Sequence, residues 1–369
     1  MTKRPGGITA TRNQQSNRPY MRISSAASAL PQHYYPQKVL LEAFRKYWGP
    51  KIQRFDILER LHSATQVDGR YLTLPLEAYP LSSWGEANNV WIEAAVDLGH
   101  EAICNAMQQA GTKPADIGAF FFVSITGVAS PSVDARLMNR MGLSPRTKRI
   151  PIFGLGCVGG AAGIARAADY VRAFPKQAAL LLSVELCSLT IQQDDFSVAN
   201  LISSGLFGDG AAAVIVSGAE IESRDGPEII ATRSVFYPDT EYVMGWDISE
   251  KGFRIVLSRD VPDIVLRNLG KDTDEFLSEH GLDRSDVGTW VLHTGGPKVL
   301  EATETALQLP PGALNASWEC LGRTGNLSSA SVLFVLEEIM KNRRPEPGTW
   351  GILAAMGPGF CSELVLLRW

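Results

Sequence analysis

Residues 150–170 read IPIFGLGCVGGAAGIARAADY: an apolar run, a cluster of glycines around one cysteine, and an alanine-rich run able to form a helix. The stretch contains a G-x-G-x-x-G at Gly154, Gly156 and Gly159. The later apolar run AALLLSV ends in Glu185, where a dinucleotide-binding domain keeps an acid for the ribose. The same residues can instead seat a nucleophile. At a helix start, Cys157 sits among unpaired N–H groups and the positive end of the helix dipole, and both favour thiolate over thiol. One reading predicts an oxidoreductase and the other an enzyme with a covalent intermediate.

The bulk composition narrows the field. The chain has 369 residues, 45% hydrophobic and 20% charged, with a net charge of −4. No overall basic field favours nucleic acid, and no apolar run approaches the roughly 18 residues needed to span a membrane. Residues 1–20 are polar and contain no apolar core of a secretory signal, so they read as a flexible arm. The five cysteines (104, 157, 187, 320 and 361) form no C-x-x-C pair. A disulfide scaffold and a structural zinc site are therefore not expected, and a reduced, cytoplasmic setting is.

Strand-like runs at 119–125, 150–153, 178–184, 211–217, 289–292, 351–356 and 363–368 interleave with helix-like patterns at 89–110, 159–174, 261–280, 297–307 and 329–343, which predicts an α/β fold with buried sheets. A long repeat is visible. Glycines around Cys157 lead into a helix, a strand, the turn LFGDG and a strand. Glycine-flanked Asn326 in GRTGN leads into a helix, the strand GILAAM, the turn GPG and a final strand. This order predicts two duplicated halves, 21–220 and 221–369, with Cys157 and Asn326 at equivalent helix starts.

His293, in TWVLHTGGPKVLEA, leaves a short apolar strand and faces a glycine-rich turn, a suitable place for an acid, base or hydrogen-bond donor. The amide of Asn326 can donate to an oxyanion. The order Cys, His, Asn also occurs in papain-type proteases, but those carry the cysteine near the mature N-terminus within C-G-S-C-W, which is absent here.

GLGCVGG, LFGDGAAAVIV, HTGGPKVL, GRTGNLSSASVLFVLEE and MGPG together resemble the signature segments of type III polyketide synthases, the chalcone-synthase-like branch of the thiolase superfamily, in that family's order and spacing. The resemblance runs from about residue 20 to the C-terminus. It implies a five-layer αβαβα thiolase-like fold made of two halves, a homodimer, and acyl-CoA and malonyl-CoA as substrates, with no metal and no resident cofactor. An acyl carrier protein is an alternative starter donor. The resemblance implies Cys157 as the acyl-carrying nucleophile, with His293 and Asn326 as donors to the malonyl thioester carbonyl. It places Phe207, Ile255, Ile125, Cys187, Ser328 and Gly359 around the substrate, and Arg60 and Lys298 near the coenzyme A phosphates.

Three departures from the family pattern bear on the starter. Ile255 stands near the family's second gatekeeper phenylalanine, and Ile125 stands where plant members have threonine and some naphthalene-forming bacterial members have cysteine. Ser130 replaces the plant methionine that reaches into the partner's site. A missing aromatic plate and aliphatic walls suit a long flexible acyl chain, so the expected product is an alkylpyrone or alkylresorcinol made from a fatty acyl-CoA. The alternatives are a ketoacyl synthase III-like enzyme and a type III synthase making tetrahydroxynaphthalene or another aromatic from malonyl-CoA.

Overall fold

The computed structural model describes residues 20–52, 54–222 and 226–369; the expected N-terminal arm lies outside the described residues except for Tyr20. The strands form because β-branched and aliphatic residues can be buried on both faces of a covered sheet. Strand Ala178–Leu186 is buried along its whole length. Its alternate residues divide between two cores: Ala179 and Leu181 join the central one, while Leu180, Leu182 and Val184 join an outer one. Strand Cys361–Arg368 divides in the same way, with Val365 and Leu367 central and Leu364 and Leu366 in the opposite outer core.

Among the described residues, nine strands are linked in the order Val287–Leu292, Trp350–Gly357, Cys361–Arg368, Glu228–Phe236, Arg22–Ala29, Asp209–Ser217, Ala178–Leu186, Ile117–Val123 and Lys148–Ile152. The middle join is a single residue pair, Arg22 with Glu228, so this is two half-sheets meeting at an edge. Helices Gly159–Ala173 and Ser331–Asn342 fill the central layer between them. Helix Trp84–Ala110 covers the outer face of the first half-sheet, and helices Val261–Ser278 and Pro297–Leu307 cover that of the second. The result is the expected five-layer αβαβα thiolase-like fold.

The duplication extends to small details. In the first half, strand Ile117–Val123 runs parallel to Ala178–Leu186, which is followed by two antiparallel neighbours. In the second, Val287–Leu292, Trp350–Gly357, Cys361–Arg368 and Glu228–Phe236 repeat that sequence of directions. Each half enters its first strand through the same turn. Gly111 and Gly281, with φ of 64° and 70°, lead into short 3-10 turns whose Asp116 and Asp286 accept from the N–H of Lys113 and Asp283. Cys157 lies in the 3-10 turn Gly156–Val158 immediately before its helix, and Asn326 lies five residues before Ser331–Asn342.

Candidate active site

Gly156, Gly159 and Gly160 of GLGCVGG are closed off by packed neighbours, contrary to the dinucleotide-binding reading, while Gly154, at φ 97°, faces open space. A Cβ on Gly156 would stand 2.8 Å from Pro358 Cδ and 3.2 Å from Ile125 Cδ1; one on Gly159 would stand 2.6 Å from Val123 Cγ1 and 3.2 Å from Ser329 Cβ. On Gly160 it would meet the Ser329 carbonyl and Val332. These positions admit the second half of the chain, which carries Asn326 and Ser328 up against Cys157. Glu185 is equally unavailable to a nucleotide. It is fully buried and accepts from Ser124 Oγ (3.2 Å), the Ile125 N–H (3.1 Å), Thr126 Oγ1 (2.9 Å) and Ser329 Oγ. Burial pushes its carboxyl up to about 7 against these donors.

Cys157, His293 and Asn326 line one cavity of about 60 Å³, together with Phe207, Met244, Leu257 and Phe360. A second cavity of similar size shares Cys157, Phe207, Met244 and Leu257 with the first, and adds Ile125, Cys187, Ser203, Trp246, Ile255 and Ser328. Cys157 therefore stands where the two meet.

Cys157 Sγ lies 3.7 Å from Ser328 Oγ. Burial pushes its thiol up to about 12; the Ser328 and Asn326 side chains pull it down and the Glu185 charge adds to the rise. Burial thus opposes the lowering expected from its helix-start position. Asn326 Oδ1 accepts from the Ser328 N–H (2.8 Å) and Ser331 Oγ (3.2 Å), which leaves the amide NH₂ to face the sulfur. The first of these bonds also holds Ser328 at φ 48°, a left-handed conformation unusual for a non-glycine residue.

The loop at Phe207 fixes the asparagine backbone. Asn326 N–H donates to the Leu206 carbonyl (2.9 Å), Gly208 N–H donates to the Asn326 carbonyl (3.1 Å), and buried Arg70 donates to the Phe207 carbonyl (2.7 Å). His293 is buried, and neither ring nitrogen has a partner among the described residues. Burial lowers it to about 4, so the ring is neutral. A buried imidazole with two orphaned nitrogens in a cavity wall is available to a substrate.

Phe207, Ile125, Cys187, Ile255 and Ser328 line the cavities as expected. Gly359 does not: Pro358 faces the cavity, and Gly359, at φ 68°, makes the turn beyond it. Arg60 is exposed and paired with Asp56 at 3.3 Å, and Lys298 is exposed beside Val299, which lines the histidine-side cavity. Ser130 is exposed outside both cavities.

The aromatic plate thought to be missing at Ile255 is supplied by its neighbour. In the ribbon Met244–Ser249/Gly252–Leu257, Trp246 pairs directly opposite Ile255, and both line the second cavity. The indole N–H donates to the Ile125 carbonyl (2.9 Å), and its ring packs 5.8 Å from Phe253. The sequence signal was a hairpin, two short alternating runs around Gly252, which has φ 93°.

Sequence models of the N-terminal and C-terminal domains of chalcone and stilbene synthases match residues 8–220 and 228–369. The chain belongs to the chalcone and stilbene synthase family. It is a type III polyketide synthase, an acyltransferase-type condensing enzyme. It is 50% identical over 350 residues to a 1,3,6,8-tetrahydroxynaphthalene synthase of Streptomyces peucetius subsp. caesius, covering 94% of this chain and 93% of that protein. Identity to the alpha-pyrone synthesis polyketide synthase-like Pks18 of Mycobacterium tuberculosis is 30%, over 75% of this chain and 72% of that one. The crystal structure of the Streptomyces coelicolor A3(2) 1,3,6,8-tetrahydroxynaphthalene synthase matches with a TM-score of 0.88 at 32% identity, covering 94% of this chain and 99% of that one. No helix among the described residues is long and apolar enough to cross a membrane.

Proposed function

We propose that this synthase primes and extends its chain with malonyl-CoA and closes it to a compact aromatic such as 1,3,6,8-tetrahydroxynaphthalene. The observation that carries this reading is the Trp246 indole opposite Ile255. It sets an aromatic wall in the cavity beside Cys157, a flat surface suited to packing a planar aromatic product. The 50% identical relative points the same way. The fatty-acyl reading rests on the aliphatic residues Ile125, Ile191 and Leu257 in the same wall and on the more distant Pks18.

In this mechanism neutral His293 takes the Cys157 proton, the sulfur attacks the thioester carbonyl of malonyl-CoA, and coenzyme A leaves as its thiol with that proton. A second malonyl-CoA loses CO₂. The resulting enolate oxygen is held by the Asn326 amide and an N–H of His293, in a site that excludes bulk water. The enolate carbon attacks the Cys157 thioester and expels the sulfur, and the lengthened chain returns to Cys157. The starter's own carboxylate is also lost as CO₂ before ring closure, so a ten-carbon tetrahydroxynaphthalene consumes five malonyl-CoA and releases five CO₂, five coenzyme A and one water. Arg60 and Lys298, both exposed, are the residues we assign to the coenzyme A phosphates, and a homodimer is the proposed assembly.

The test is incubation of the purified enzyme with malonyl-CoA alone, with products identified by mass spectrometry and released thiol counted. The expected result is a tetrahydroxynaphthalene with five coenzyme A per product, abolished in Cys157→Ala. Pyrones or resorcinols formed only when a fatty acyl-CoA is supplied would refute the malonyl-primed reading. Chain growth in Cys157→Ala would refute the mechanism.

A further inference from the structure

The second cavity has polar residues in its wall, and almost all of them are already engaged. Thr126 Oγ1 donates to Glu185 (2.9 Å), Thr190 Oγ1 donates to the Cys187 carbonyl (2.8 Å), and the Asn200 amide donates to the carbonyls of Gln192 (2.9 Å) and Asp195 (2.7 Å). Ser328 Oγ faces the cysteine sulfur. Ser203 is the exception. Its Oγ is buried, lines this cavity, and has no hydrogen-bond partner. It sits in helix Val198–Leu206, one turn before Phe207. A helical serine can satisfy itself on a carbonyl of the preceding turn, as Ser204 does on Leu201 (2.9 Å). Among the described residues, the only buried orphan polar atoms in the walls of the two cavities are Ser203 Oγ and the two nitrogens of His293.

We infer that Ser203 is a specificity-determining residue whose hydroxyl donates to a ketone or carboxylate oxygen of the chain held on Cys157. It thereby selects oxygen-bearing polyketide intermediates over alkyl chains. The inference deepens the malonyl-primed reading and rests on it for the natural substrate. An alkyl chain entering this cavity leaves the hydroxyl buried and unpaired. A β-keto chain, with an oxygen on every second carbon, satisfies it. Unpaired polar groups in a closed site reject the analogue that lacks their partner far more strongly than an apolar wall rejects a size change.

The experiment compares acetoacetyl-CoA with butyryl-CoA as starters, two four-carbon acyl groups that differ by one ketone, with malonyl-CoA as extender. The ratio of their kcat/KM values is measured in the wild type, Ser203→Ala and Ser203→Thr. The ratio is expected to fall at least tenfold in Ser203→Ala and to recover in Ser203→Thr, which keeps the hydroxyl. Ser203→Ala is also expected to melt at or above the wild-type temperature, because it removes an unsatisfied group. An unchanged ratio overturns the inference. So does a lower melting temperature with equal loss on both starters, which marks a structural role. Because both starters are supplied, this outcome is independent of whether malonyl-CoA alone primes the enzyme.

Discussion

Gly357→Ala tests whether the placement of Cys157, the proposed nucleophile, depends on a backbone contact remote from the chemistry. Gly357 ends strand Trp350–Gly357, and a Cβ there would lie 2.6 Å from the backbone nitrogen of Val158 and 2.7 Å from the carbonyl oxygen of Leu155. Both atoms belong to the turn that carries Cys157, and neither is the free end of a flexible side chain. Ordinary contact for a Cβ begins at 3.4 Å, so the turn must retreat by 3.4 − 2.6, about 0.8 Å, from the strand. Asn326 is fixed separately by the Phe207 loop and does not follow. A misplacement of about 1 Å between reacting groups lowers a rate by about 10²-fold, and overpacking of a close-packed site costs about 1–3 kcal/mol. The variant is therefore expected to release coenzyme A from malonyl-CoA roughly a hundredfold more slowly, measured by thiol titration, with a lower urea midpoint. The control is Gly85→Ala, where the nearest atom to the added Cβ is 3.9 Å away in helix Trp84–Ala110. It should keep full activity and gain up to about 1 kcal/mol of helix stability. Wild-type stability with turnover within twofold in Gly357→Ala would refute the reasoning.

Two further outcomes follow from the site. His293 falls from its ordinary 6.5 to about 4 on burial, so the unfolded chain binds one more proton than the folded one between these values. The stabilisation this provides is complete above pH 6.5 and is lost as the pH falls to about 4, a total of about 3 kcal/mol. Urea unfolding of the wild type and His293→Gln across this range should show the variant with the shallower loss; parallel curves would exclude a neutral buried imidazole. Trp246→Ala removes the aromatic wall and should raise kcat/KM for hexanoyl-CoA relative to malonyl-CoA as starter by tenfold or more, read from product ratios. An unchanged preference would show that the indole does not limit the starter.

The elements that carry the chemistry were legible because their signals are local. The strands at 178 and 211 are runs of residues buried on both faces, and His293 and Asn326 stand beside glycines that mark strand exits and turns. Strand Arg22–Ala29 was not legible: RISSAASA is too small and polar to read as buried, yet Ile23, Ser25, Ala26 and Ala27 are buried at the centre of the molecule. Its small side chains suit the close approach of helix Trp84–Ala110, and Ser25 is satisfied on the Ala106 carbonyl at 2.7 Å. The meaning of the GLGCVGG glycines was hidden for a different reason. Much of what fills the space at Gly156, Gly159 and Gly160, namely Pro358, Ser329 and Val332, lies about 170 to 200 residues further along the chain. Trp246 was missed because its role depends on cross-strand register with Ile255, which only the folded ribbon sets.

The same non-local contacts explain why a duplicated fold suits this reaction. A single half can bury a cysteine before a helix, but burial alone drives the thiol away from ionisation, as it does at Cys187 and Cys320 as well. Cys157 differs from those two in what the second half brings to it: the Ser328 hydroxyl, the Asn326 amide and a histidine with both nitrogens free. The glycines at 156, 159 and 160 permit that approach, and the backbone bonds between the Phe207 loop and Asn326 fix its register. The proposed nucleophile and its proposed donors are thus held by separate half-sheets joined at a close-packed seam, so a small displacement across that seam should alter reactivity more than it alters the fold of either half.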